Sequence, residues 1–133
     1  MYLLDTNALS EPLRLRPSPR FLEEVRRVAP DALFTSTVCV MELRYGCARK
    51  EDLRLWTRIA RELLARVEVL PFGREEAIAA GDLLATLGRA GQPVGIEDVQ
   101  IAATALTRSL TVVTANEAHF SRIPGLQCVN WMR

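Results

Sequence analysis

The chain has 133 residues, a formal net charge of +1 and 49% apolar residues. This composition suits one compact domain, predicted to span residues 1–133, with a single hydrophobic core. No segment approaches the ~20 consecutive apolar residues of a membrane span, and the N-terminus lacks the pattern of a signal peptide. We therefore expect a cytoplasmic protein without a membrane partner. The near-neutral charge argues against a protein held to nucleic acid mainly by bulk positive charge, but it is compatible with an enzyme that binds nucleic acid locally.

Cysteine and histidine are too few to form the common soft-ligand metal sites. The three cysteines, Cys39, Cys47 and Cys128, form an odd and scattered set, unlike a disulfide framework or a zinc site. Cys39 and Cys47 lie in a mostly apolar segment, so we expect both to be buried free thiols. His119 is the only histidine, which excludes HExxH metalloproteases and multi-histidine zinc sites.

Apolar periodicity predicts strands that alternate with helices along the whole chain. In chain order, the predicted elements are a strand at 2–4, a helix at 20–28, a strand at 32–36, a helix capped by Ser36 or Thr37 that runs to about Cys47, a helix at 51–66, a strand at 67–70, helices at 74–90 and 98–108, a strand at 110–113 and an edge strand at 126–131. The continuously apolar strand at 110–113 is expected inside the sheet. This alternation predicts an α/β fold with three layers, α/β/α, around a mostly parallel central sheet.

Several acidic and polar residues occupy positions that a parallel sheet gathers at one edge. Asp5 follows the first strand, Glu42 lies on the helix after the second strand, Asp98 lies near the start of a helix, and Thr114 and Asn116 follow the strand at 110–113. Ligands of open α/β sheets bind outside the carboxyl ends of the strands. Oxygen ligands without thiolate or imidazole suit Mg²⁺ or Mn²⁺, and clustered carboxylates repel one another unless a cation neutralises them. The pattern therefore suggests a hard-cation site.

Each of these residues also has an ordinary structural explanation. Asp98 could cap the N-terminus of its helix, which would stabilise the helix by about 1 kcal/mol. Glu42 could be an exposed helical glutamate, and Asn116 could be a turn residue. Glu97 is expected to be a solvated charge of a first helical turn, and His119, which precedes an aromatic residue, is expected to be structural.

Four short motifs carry a family resemblance by their order and spacing. They are Leu-Leu-Asp-Thr-Asn at 3–7, Met-Glu-Leu-Arg-Tyr-Gly at 41–46, Asp98 before Ile-Ala-Ala-Thr-Ala at 101–105, and Val-Thr-Ala-Asn at 113–116, followed by a similar ending at 120–131. Over nearly its full length the chain resembles PIN-domain ribonucleases, specifically the VapC-type toxins of toxin–antitoxin pairs. The resemblance implies a PIN-like fold, Mg²⁺- or Mn²⁺-dependent cleavage of RNA, neutralisation by a small VapB-like antitoxin, and a homodimer.

The resemblance also implies roles for individual residues. It makes Asp5, Glu42 and Asp98 the catalytic acids and metal ligands, with Asn116 as a further metal-site position. The implied supporting residues are Thr6 and Asn7, beside the first acid, and Thr114, which would orient ligands from the last interior strand.

Asn116 departs from the family pattern, which often has a fourth acid at this position. An asparagine can still offer its amide oxygen to a cation or its water, but it contributes no charge. We therefore expect weak binding of any second metal ion. The neighbouring Glu117 could partly substitute for the missing fourth acid.

Two alternative functions are open on the sequence. Haloacid-dehalogenase-like phosphatases also begin with a strand followed by Asp-x-Asp, but here Asp5-Thr6-Asn7 lacks the second acid and Lys50 fits their late lysine poorly. A degenerate, non-catalytic PIN-type module that only binds RNA or a protein is disfavoured by the three intact acids and favoured by Asn116.

The resemblance further suggests where an antitoxin would bind. The region around residues 11–30 and the helix at 51–66 carry apolar residues flanked by arginines. We expect an apolar antitoxin segment to pack there and to direct a basic side chain toward the acids, because opposite charges favour that arrangement.

Overall fold

A computed structural model describes residues 1–133 and contains one five-stranded sheet. The strands are β1 (Tyr2–Leu4), β2 (Leu33–Ser36), β3 (Glu68–Leu70), β4 (Thr111–Val113) and β5 (Cys128–Val129). Their spatial order is β3-β2-β1-β4-β5, and every neighbouring pair is parallel. All five strands were predicted, and β4 lies inside the sheet and β5 at its edge, as expected.

Seven α-helices and several short helical turns connect the strands. The helices are α1 (Thr6–Ser10), α2 (Pro19–Arg27), α3 (Thr37–Arg49), α4 (Leu53–Arg58), α5 (Arg74–Arg89), α6 (Ile96–Thr107) and α7 (Glu117–Phe120). Helices flank the sheet in the predicted three-layer α/β/α arrangement. Every helix is either too short or too polar to span a lipid bilayer.

The predicted helix at 51–66 is shorter and less regular than its periodicity suggested. Asp52 caps α4 by accepting a hydrogen bond from the Leu55 N–H at 2.9 Å, so the helix begins at Leu53. After Arg58 the backbone widens into a π-helical segment, Ile59–Leu63, and then tightens into a 3₁₀ turn, Leu64–Arg66. Ile59 and Leu63 are both buried in this segment. The apolar spacing therefore identified core residues correctly but not the helix geometry.

A single hydrophobic cluster of 25 buried residues joins the sheet to its helices. Cys39 and Cys47 belong to it as free thiols, which confirms their predicted burial. Burial raises the pKa of the Cys39 thiol above its ordinary value, mainly through desolvation. The indole of Trp131 is also buried in this cluster, with its ring centroid 4.8 Å from that of Tyr2.

The strand order places a topological switch point at the carboxyl edge of the sheet, between β1 and β4, and we call the space outside the ends of these two strands the crevice. From β1 the chain continues to β2 and β3 on one side, whereas β4 and β5 lie on the other side. Such a switch point is where open α/β sheets bind ligands. Leu4 is in register with Val113, and the Asp5 N–H donates to the Val113 carbonyl oxygen at 3.1 Å. The residues that follow β1 and β4 are therefore neighbours.

Glu76 is a buried acid that the sequence patterns did not single out. It lies in the first turn of α5, where its Oε1 accepts a hydrogen bond from the Gly73 N–H at 2.8 Å. Its Oε2 accepts a longer hydrogen bond, 3.4 Å, from the Thr107 hydroxyl at the end of α6. This carboxylate therefore caps α5 and connects it to α6.

We expect Glu76→Ala to destabilise the protein by about 1–2 kcal/mol, because a cap is lost and a partly buried N–H is left without its partner. Glu75→Ala is the matched control, since Glu75 is exposed in the same helical turn. Urea unfolding of the two variants measures the difference. Equal stability of the two would contradict the capping role.

Candidate active site

Asp5 is nearly enclosed at the end of β1, with only 5% of its surface exposed. It is the N-cap of α1, and its Oδ1 accepts a hydrogen bond from the Ala8 N–H at 2.8 Å. Burial raises the pKa of Asp5, and the charges of Asp98 and Glu42 raise it further, whereas hydrogen bonds from Thr114 and Ala8 lower it. The charges of the two other predicted site acids therefore act on Asp5.

Glu42 is half-buried on α3 and is held by a neighbouring hydroxyl. The Thr6 Oγ1 donates a hydrogen bond to Glu42 Oε1 at 2.5 Å. Thr6 was expected to support Asp5, but in the structure it positions Glu42. Asn7, the other residue expected to support the first acid, is exposed, and its side chain makes no hydrogen bond within the chain.

Asp98 is the third residue of α6 and does not cap it. The helix begins at Ile96, its N-cap is Gly95, and no side chain caps it, which contradicts the helix-cap interpretation. Asp98 Oδ2 instead lies 3.4 Å from His119 Nδ1. Glu97 is exposed, as expected for a solvated first-turn charge.

The segment after β4 forms the opposite wall of the crevice. Thr114 is fully buried, and its Oγ1 accepts a hydrogen bond from the Asn116 N–H at 2.8 Å. The Asn116 amide nitrogen lies 2.7 Å from His119 Nδ1, so its side chain faces the imidazole. His119 therefore contacts both Asn116 and Asp98, a role that was missed although it follows Asn116 by three residues.

Glu117 is the candidate substitute for a fourth acid, but its carboxylate forms an ion pair outside the crevice. The Arg133 guanidinium donates to Glu117 Oε1 at 2.9 Å. The charge of Glu117 also contributes to a raised pKa of the Cys128 thiol, after the larger effect of burial. Glu117 therefore faces the C-terminal residues of the chain.

The three acids have no strongly basic partner. No arginine or lysine lies within 4.0 Å of Asp5, Glu42 or Asp98. No three histidine, cysteine or acidic side chains lie close enough together to hold a metal ion as they stand. The donors near Asp5 are nevertheless carboxylates and hydroxyls, the ligand types that hard divalent cations prefer. The residues fit such a cation, provided that it draws the carboxylates closer together.

Comparisons with known proteins agree with this fold. The PIN domain model matches residues 2–126. The chain is a PIN-domain protein of the VapC family. It is 32% identical to the tRNA(fMet)-specific endonuclease VapC of Salmonella typhimurium, over 98% of this chain and 97% of that protein. It is 30% identical to ribonuclease VapC2 of Haemophilus influenzae, over 98% of each chain.

The fold of this VapC-family chain also matches solved toxin–antitoxin structures. The structure of DNA-bound VapBC from Salmonella typhimurium superposes with a TM-score of 0.88 at 33% identity, covering 98% of this chain and 97% of that chain. The family resemblance and the PIN-like fold predicted from the motifs are therefore confirmed, and the haloacid-dehalogenase alternative is not supported.

We expect Asp5→Asn to leave this VapC-family protein as stable as the wild type, or more stable, at pH 7 without divalent cations. Asparagine caps helices as well as aspartate does, so α1 keeps its cap. Because the pKa of Asp5 is raised in the folded state, folding favours the protonated form. The charged form therefore lowers stability above that pKa, and this cost vanishes as the pH falls below the unfolded value.

Urea unfolding in EDTA, at pH 7 and at progressively lower pH, measures this effect. The difference between the variant and the wild type should shrink as the pH falls. Asp82→Asn, at an exposed position of α5, should show no such pH dependence. A marked loss of stability in Asp5→Asn at pH 7 would contradict the prediction.

Proposed function

We propose that this protein is a Mg²⁺- or Mn²⁺-dependent endoribonuclease toxin, neutralised by a VapB-like antitoxin. The observation that carries the proposal is the enclosed Asp5 carboxylate, which has two further acids nearby and no arginine or lysine to neutralise it. Burying an unpaired charge is costly. A divalent cation from solution would remove that cost.

The carboxylates of Asp5, Glu42 and Asp98 would hold the cation. Hydrogen bonds within the chain orient two of these carboxylates. Asp5 is fixed by the Ala8 N–H, and Glu42 is fixed by the Thr6 hydroxyl. When bound, a divalent cation supplies charge neutralisation and Lewis acidity toward a phosphodiester and an attacking water.

Asn116 would contribute at most a neutral amide oxygen, and in the structure its amide faces His119. A second cation would therefore be held weakly, because the carboxylate that could neutralise it is absent. Thr114 would keep the carboxylate of Asp5 oriented toward the crevice by hydrogen bonding.

The names of the relatives support RNA as the substrate, because the Salmonella and Haemophilus proteins are an endonuclease specific for tRNA(fMet) and a ribonuclease. Such an enzyme would act in the cytoplasm. We further propose that residues 1–133 act as one catalytic domain, since one core cluster contacts all five strands.

The VapBC complex of Salmonella supports a protein antitoxin as partner. An apolar groove of about 240 Å³ lies between α2 and the helical segment at 58–67, lined in part by Phe21, Val25 and Leu63 and bordered by Arg58 and Arg66. Most of the residues that line this groove belong to the two regions, 11–30 and 51–66, in which we expect an apolar antitoxin segment to pack. Exposed apolar side chains on α3 and α5, including Tyr45 and Ile78, would suit the proposed homodimer.

Cleavage of RNA under defined metal conditions tests the proposed activity. Purified protein should cleave a tRNA or mixed-sequence RNA substrate in MgCl₂ or MnCl₂, and EDTA should abolish the cleavage. Asp98→Asn should lower the rate by about 100-fold or more without unfolding the protein, because Gly95 rather than Asp98 is the N-cap of α6.

Glu97→Gln is the matched control, since Glu97 is the exposed neighbour of Asp98 in the same turn. It should cleave like the wild type. Cleavage that persists in EDTA, or that Asp98→Asn leaves intact, would refute a metal-dependent nuclease. Absence of cleavage with any RNA and metal would instead favour the non-catalytic binding module.

We expect Thr6→Val to weaken Mn²⁺ binding and cleavage by about 10- to 100-fold, because valine keeps the shape of threonine but cannot hold Glu42. Thr6→Ser should retain both properties, since it keeps the hydroxyl. Calorimetric titration with Mn²⁺ measures the binding. Equal losses in the two variants would indicate a packing role instead.

A further inference from the structure

A cavity of about 300 Å³ begins beside Glu42 and is not explained by the acidic site. It lies between the 3₁₀ turn Glu11–Leu13, α3 and α4, and Glu42 forms part of its wall. This volume is at the small end of the ~300–1,000 Å³ typical of ligand pockets. A group bound there would therefore be adjacent to the proposed cleavage centre.

Two cations, Arg14 and Lys50, line the cavity. Arg14 is anchored by the buried carboxylate of Glu11, whose Oε1 lies 3.2 Å from Arg14 Nη1 and whose Oε2 accepts the Ser18 N–H at 3.0 Å. The Arg14 side chain is still 69% exposed, so its other N–H groups are free for a ligand. The contact with Glu11 restricts the positions that the guanidinium can take, which reduces the entropic cost of an interaction.

Lys50, at the end of α3, is exposed and lies within ion-pair distance of no carboxylate. It is also the only lysine in the chain. The rest of the cavity is largely apolar, with walls formed by Leu13, Leu43, Leu55 and Ile59. The cavity therefore combines positive charge with apolar walls.

This combination suits a nucleotide, which has an anionic phosphate and a base that can pack on apolar side chains. The net charge of +1 provides little general attraction for RNA, and the three acids repel phosphate. Local cations next to Glu42 would offset that repulsion at one place. On the basis of the proposed function, we propose that the cavity binds a nucleotide of the RNA substrate next to the cleaved phosphodiester, with Arg14 and Lys50 on its phosphate.

The salt dependence of RNA binding tests the phosphate contacts. All proteins carry Asp98→Asn to prevent cleavage under the proposed function, and a fluorescent, mixed-sequence single-stranded RNA is titrated in MgCl₂ between about 50 and 200 mM salt. Lys50→Gln should weaken binding several-fold and reduce the slope of log K against log salt by about 0.7. Arg14→Gln should act similarly, but Lys50→Gln is the cleaner variant because Arg14 also pairs with Glu11.

Arg108→Gln is the matched control. Arg108 is exposed at the end of α6, just before β4 and hence at the opposite edge of the sheet, so its loss should change the slope little. An equal effect of Arg108→Gln would mean that only overall charge matters and would overturn the proposal. The proposal would also be overturned if the parent protein failed to bind the RNA, or if Lys50→Gln left the slope unchanged. Either result would favour a protein partner as the occupant of the cavity.

Filling the cavity without changing its charge tests the position of the base. Gly46 lines the cavity, and a Cβ added there meets no atom within 4 Å. Gly46→Leu should fold, because leucine is the better helix former, and should weaken RNA binding several-fold with an unchanged salt slope. Gly81→Leu, at an equally open position of α5, should bind RNA normally. Wild-type affinity in Gly46→Leu would overturn the proposal.

These measurements separate the nucleotide subsite from the proposed activity. Cleavage by the otherwise wild-type protein tests the nuclease, whereas the slopes and the cavity-filling variants test the subsite in a protein that does not cleave. If the protein cleaves RNA but Lys50→Gln and Gly46→Leu have no effect, the nuclease proposal stands and the subsite proposal fails. If both variants weaken RNA binding but the protein does not cleave RNA, the cavity is an RNA-binding subsite and the nuclease proposal fails.

Discussion

The hydrogen bond from the Ala8 N–H to the Asp5 carboxylate both begins helix α1 and positions the most buried acid of the candidate site. The same oxygen that caps α1 turns the chain away from β1 and keeps the carboxylate inside the crevice between β1 and β4. Aspartate is suited to this position because its short side chain can satisfy a helix terminus while it remains charged. Desolvation then raises its pKa, so the geometry that stabilises the helix also creates an affinity for positive charge.

Charge in this protein is arranged locally rather than globally. The chain is almost neutral overall, yet it places an acidic crevice beside a cavity lined by Arg14 and Lys50. Glu42 belongs to both regions, so the acids and the two cations act on groups that bind next to each other. A metal ion and a nucleic acid, which have opposite charges, could therefore be attracted to neighbouring places on one small domain.

The strands were predictable because short apolar runs bounded by polar residues leave few alternatives, and the alternation with helices then determined the parallel sheet. The same topology predicted that Asp5, Glu42 and Asp98 would be neighbours; the charges of Glu42 and Asp98 do act on Asp5, although no three such side chains lie close enough to hold a metal ion as they stand. The predictions that were wrong concerned where short helices begin, which depends on which side chain caps the helix. The five-residue helix α1 is too short to have a periodicity and exists because Asp5 caps it. Asp98 was a candidate cap only because the start of α6 at Ile96 was placed two residues late.

The buried acids Glu11 and Glu76 were missed for a different physical reason. Acidic residues are normally exposed, and what permits their burial here is a set of partners supplied by other segments, such as the Ser18 N–H and the Thr107 hydroxyl. Such partners become visible only in three dimensions. Likewise, His119 contacts Asp98 across a separation of 21 residues, which no local pattern could indicate.

The central pairing of β1 with β4 has a consequence for the order of events during synthesis. Asp5 is synthesised directly after β1, but Thr114 and the strand β4 that precedes it are synthesised only after β2, β3 and six of the helices. A growing chain therefore holds one acid of the crevice long before it holds the opposite wall. The crevice can therefore form only after β4 and Thr114 have been synthesised, so a nascent chain that has released only β1 to β3 would lack the assembled acidic site.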